Sequence, residues 1–123
     1  MAARRNVFSV RNTDRGSVLA TRARLADNLV TRLFGLMGRR GVDEGGGLLL
    51  TRSASIHSFF MRFRFDAVFL DREGRVVKVV PALRTWWVAF GGRGARDVLE
   101  LPAGVAAATG TQRGDRLLFE DPQ

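Results

Sequence analysis

Asp66-Ala67-Val68-Phe69-Leu70-Asp71-Arg72-Glu73-Gly74-Arg75-Val76-Val77-Lys78-Val79-Val80-Pro81 reads as a β-hairpin. Ala67 to Leu70 is an unbroken apolar run, as expected of a strand buried on both faces. Asp71-Arg72-Glu73-Gly74 is turn chemistry, and Gly74 takes the positive φ that a bulged hairpin turn requires. Arg75 to Val80 then returns as the partner strand. Pro81 has no N–H to donate, so it ends that strand or confines it to a sheet edge.

Upstream, within Ile56 to Leu70, the stretch from His57 to Phe65 has period two, and the run changes character around Asp66. His57, Phe59, Met61, Phe63 and Phe65 fall on one face, with Ser58, Phe60, Arg62 and Arg64 on the other, which predicts a strand with a wet side. Further strands are expected over Ser17 to Leu25, Leu48 to Thr51, Asp97 to Leu101 and Arg116 to Phe119, with a loop over Asp43 to Gly47. Asp27 reads as an N-cap for an amphipathic helix carrying Leu29, Val30, Leu33, Phe34, Leu36 and Met37, closed by Gly38 and Gly41. A second short helix is expected over Ala103 to Ala108, with Pro102 at its start and Gly110 at its end. The fold class is therefore mainly β (α+β), a compact β-barrel or sandwich-like single domain with one or two short helices. Residues 1–14 read as a basic leader in which Val7, Phe8 and Val10 have the apolar content for an edge strand, and 15–120 as the domain.

The 123 residues suit one domain, and 46% hydrophobic residues supply a core without staples. There is no cysteine, which excludes a disulfide scaffold, a thiolate zinc site and a cysteine nucleophile. Neither a membrane-length apolar run nor a signal-peptide core is present, so a soluble cytoplasmic protein is expected. Net charge is +8, and it is uneven: residues 1–40 hold nine Arg against Asp14 and Asp27. That excess suits a phosphate backbone or an anionic surface, but the arginines form no unbroken cluster and no nucleic-acid motif accompanies them, which favours a solvated, solubilising lead-in.

Chemistry-bearing residues are sparse. His57 is the single histidine, with no His-x-His or Glu-x-x-His spacing, so no metal and no cofactor are predicted. Ser53, Ser55 and Ser58 lie near it without a nucleophile elbow. Asp66 at the entry to an apolar strand, and Glu100 between Leu99 and Leu101, are carboxylates in apolar company. Each is either an acid–base group or a strand-end ion pair or amide cap. Gly91-Gly92-Arg93-Gly94-Ala95-Arg96 has the glycines and arginines of an anion cradle but no P-loop or dinucleotide fingerprint.

Four motifs occur in order: Arg32-Leu33-Phe34-Gly35-Leu36-Met37; Gly47-Leu48-Leu49-Leu50; His57-Ser58-Phe59-Phe60-Met61-Arg62 followed by Asp66 and Phe69-Leu70-Asp71; and Leu99-Glu100-Leu101-Pro102-Ala103-Gly104. Together they resemble the small bacterial and archaeal DUF192 family over roughly residues 15–120. The resemblance implies a β-rich barrel or sandwich with short helices, and it supplies no activity and no catalytic residue. Arg64 stands where such proteins commonly carry proline, and Thr85 lies in a loop that often contains one.

The expectation is a small non-enzymatic binding domain for an anionic small molecule or a protein partner, with Arg32, His57, Arg62, Asp66, Arg93 and Glu100 as the candidate binding residues. A hydrolase-like enzyme using His57 with Asp66 or Glu100 is one alternative. Weak nucleic-acid binding through the basic N-terminal third is another.

Overall fold

A computed structural model describes residues 7–26, 43–58 and 63–121. The expected helix after Asp27, with Arg32 in it, and the segment from Phe59 to Arg62 lie outside the described residues. Among the described residues, nine strands and one short helix follow in order: β1 Val7–Asn12, β2 Ser17–Ala26, β3 Gly46–Leu50, β4 Ser55–His57, β5 Phe65–Leu70, β6 Val76–Leu83, β7 Val88–Phe90, β8 Asp97–Pro102, α1 Val105–Ala108 and β9 Leu117–Glu120. Seven strands form one curled sheet in the order β6-β5-β8-β3-β2-β1-β9, while β4 and β7 pair separately. Among the described strands only the β2–β3 pairing is parallel.

The hairpin of 66–81 forms as its sequence dictates. All six residues of β5 are buried because β6 and β8 flank it and both sheet faces are covered. Asp71 Oδ1 accepts the amides of Glu73 and Arg75, an Asx turn, and Gly74 takes φ +82°. A Cβ on Gly74 would also lie 3.0 Å from the Leu117 carbonyl. β6 is a sheet edge, which is why Pro81 is tolerated inside it.

Alternation sorts the core onto two faces. Phe8, Val10, Leu19, Val68, Leu70, Leu99, Leu101 and Leu117 share one cluster with Ala106 of α1. Because it joins residues from both ends of the strand order, this cluster is the inside of the curl. The Arg75–Arg116 bridge, with Val76 N–H donating to the Asp115 carbonyl at 2.7 Å, draws the two edges together at one end. Leu48, Leu50, Phe65, Ala67, Phe69 and Val98 form the other face, covered by Ile56 and Ala89 of the small sheet.

Three expectations need correction. His57 to Phe65 is not one strand: His57 ends β4, which pairs with β7 in the small sheet, whereas Phe65 opens β5 in the large one. The chain is drawn off at Ser58, whose amide donates to the Trp87 carbonyl and whose buried hydroxyl donates to the Arg84 carbonyl at 2.6 Å. Val7–Asn12, read as the end of a leader or an edge strand, instead lies between β2 and β9. Buried Asn12 fixes it there by donating to Asp115 Oδ2 at 2.9 Å. The second helix is shorter than expected: Pro102 closes β8, and Gly104 at φ 99° precedes α1.

Candidate functional site

Asp66 is fully buried, and its carboxylate is spent on backbone. Oδ1 accepts the Ala82 amide at 2.8 Å, and Oδ2 accepts those of Gly104 at 3.1 Å and Ala106 at 2.8 Å. It thereby caps a helix whose own N-cap, Gly104, has no side chain for the task. It also holds Ala82, at φ +46°, in a bulge beside Pro81.

Glu100 lies on the opposite face. It is paired with Leu48 on one side and Ala67 on the other, so its carboxyl sits in apolar surroundings. Only 4% of the residue is exposed, and Oε2 has no hydrogen-bond partner among the described residues. Burial pushes this carboxyl up to about 8, so it is largely protonated at neutral pH.

The remaining candidates are dispersed. His57 is exposed on β4, with neighbouring Ile56 turned into the core. Arg93 is exposed in the loop after β7, which joins the far end of β5 through the Arg96 amide and the Leu70 carbonyl. Asp66, at the start of the same strand, is therefore remote from it. Arg32 and Arg62 lie outside the described residues. Among the described residues no group of three potential metal ligands occurs. An open groove of about 480 Å³ is lined by Asp71, Arg72, Glu73, Gly94 and Arg96. Its two acids offset its two arginines, which leaves no net charge to draw an anion.

The N-terminal arginines are partly committed within the fold. Arg11 pairs with Glu120 at 3.0 Å and Arg15 with Asp115 at 3.1 Å. Burial pushes the Asp115 carboxyl up, but hydrogen bonds from Arg15, Asn12 and the Gln112 amide outweigh it and hold the group below the usual range.

The most unusual surface is one the sequence reading passed over. Trp86, Trp87, Val88 and Phe90 are 57%, 54%, 41% and 62% exposed. Alternation explains it: Ala89 goes inward, so Val88 and Phe90 face out beside His57 and Ser55 of β4. The Arg84 guanidinium lies 5.1 Å from the Trp87 ring centre, and Lys78 Nζ donates to the Phe90 carbonyl at 2.8 Å. From Lys78 to Arg96 there are four cations and no carboxylate. Trp86 adopts φ +57°, a conformation costing an L residue about 1–2 kcal/mol. The sequence signal was the Trp86-Trp87 pair inside this acid-free stretch.

Comparison with known proteins agrees with the fold. The DUF192 family model, described as an uncharacterized ACR, matches residues 10–119. A UPF0127 protein of Pyrococcus furiosus is 36% identical over 109 residues, spanning 86% of this chain and 93% of its own length. One from Thermococcus sibiricus is 34% identical over 113 residues, 89% of this chain and 73% of that one. A crystal structure of a protein of unknown function from Novosphingobium aromaticivorans superposes with a TM-score of 0.78 at 21% identity, covering 91% of this chain and 83% of that one. None of these names carries an activity.

Proposed function

The chain belongs to the DUF192 family, and from that premise we propose that it is a non-enzymatic binding domain that recognises an anionic partner through the outer face of β4 and β7. The observation that carries this reading is the joint exposure of Trp86, Trp87, Val88 and Phe90 in a stretch whose only charges are cations. Clustered exposed aromatics are unfavourable in water and mark interaction surfaces. Strain at an exposed tryptophan fits the same role, since strained backbone concentrates at functional positions.

Thermal unfolding with inorganic phosphate, a nucleoside diphosphate, poly-glutamate and short oligonucleotides tests the reading. A partner at a hundred times its Kd adds about 2.7 kcal/mol to the folded state. The expected result is a raised Tm with at least one of these anions, lost in Arg84→Ala/Phe90→Ala. An equal shift in that variant, or no shift with any anion, overturns it.

A further inference from the structure

We infer that the anionic partner of this face is a single-stranded nucleic acid; the inference rests on the reading just given and narrows it. Three of these residues are planar aromatics that are more than half exposed: Trp86, Trp87 and Phe90. Phe90 stands on the outward side of the two-stranded sheet, opposite exposed Ser55 and diagonal to exposed His57. An unpaired base stacks on such a ring whatever its identity, because every base has a π-face.

The cations stand over and beside the rings. Arg84 covers Trp87, Lys78 is tied to the backbone of Phe90, and exposed Arg93 follows Phe90 by three residues. Rings flanked by cations of one sign match a strand that alternates bases with phosphates. A protein interface is less well matched, since its rim carries charges of both signs and its core is depleted in charge. Duplex DNA is also a poor match, because its bases are stacked away from the rings.

Two arginines of the basic N-terminal third are already in ion pairs with Glu120 and Asp115. The surface proposed is the outer face of β7, where Lys78, Arg84 and Arg93 adjoin the rings.

Fluorescence anisotropy of the full chain with a labelled oligothymidylate of about 12 nucleotides tests this. A duplex of equal length and poly-glutamate serve as competitors. Binding is expected to weaken by about 20-fold from about 50 to about 200 mM salt if three phosphates are neutralised. Trp87→Ala/Phe90→Ala should weaken it at least about tenfold, since stacking on each ring contributes a factor of that order. Trp87→Phe should retain most of it. Both changed side chains are exposed, and circular dichroism checks that the variant is folded. Poly-glutamate binding without oligonucleotide binding overturns the inference and leaves the broader reading standing. No binding to either overturns both. Unchanged oligonucleotide affinity in Trp87→Ala/Phe90→Ala moves the site elsewhere and also overturns it.

Discussion

Asp66 and Glu100 sit on adjacent strands, Asp66 opposite Leu101 and Glu100 opposite Ala67, so their carboxyl groups face opposite sides of the same sheet. One is satisfied by three amides, and the other has Oε2 unpaired among the described residues. They respond to pH and to substitution in different ways.

Glu100 makes stability fall as pH rises. A carboxyl raised from 4.5 to about 8 by burial favours the protonated folded state. Its stabilising effect is complete below pH 4.5, and stability is lost between there and pH 8, by up to about 5 kcal/mol. Urea unfolding at acid and at mildly alkaline pH should show Glu100→Gln with a flatter profile and a clear gain at the alkaline end. Parallel profiles for the two proteins would refute this.

Asp66→Ala leaves the amides of Ala82, Gly104 and Ala106 without their acceptor. A buried donor left unsatisfied costs about 1–3 kcal/mol, so the loss should be about 3 kcal/mol or more. Native-state hydrogen exchange should report it first at Ala106, and protection there equal to wild type would contradict the capping role.

Asp115→Asn should behave in the opposite sense to Glu100→Gln. The depressed carboxyl contributes stability that is present above its ordinary value of 3.8 and lost as pH falls below it. The substitution should cost about 1–3 kcal/mol at neutral pH, and thermal unfolding should show the gap narrowing in acid. A gap independent of pH would exclude charge as the cause.

Gly91→Ala tests the packing beneath the 91–96 loop. The added Cβ would fall against Ala95 and within 2.6 Å of Phe69 Cδ1. Overpacking of this kind costs about 1–3 kcal/mol, visible as a lowered Tm; Gly92→Ala meets no atom within 4 Å, and its cost comes from its φ of +80° alone.

The hairpin was legible because its determinants are neighbours: the apolar run, the Asx turn and Gly74 lie within a few residues of one another. The purpose of Asp66 was not, because its three amides lie 16, 38 and 40 residues away. The same holds for the break after His57, made by contacts of Ser58 with Arg84 and Trp87. Period-two alternation carried no information on whether the strand continued, and it misplaced the residues at the break: His57, grouped with the phenylalanines, is exposed, and Ser58, placed on the wet side, is buried. Trp86 to Phe90 carries no such signal, since three strand residues are too few to tell inside from outside. The family motifs identified the fold, and they omit the aromatic surface altogether.

The pairing of β1 with β9 sets an order of events during synthesis. Ser9 meets Glu120 across a separation of 111 residues, so β1 waits for its second neighbour while the intervening chain is made. At about 5–20 residues per second that interval is roughly 5–20 s. Throughout it, one side of an apolar strand is open, and closure of the sheet comes last.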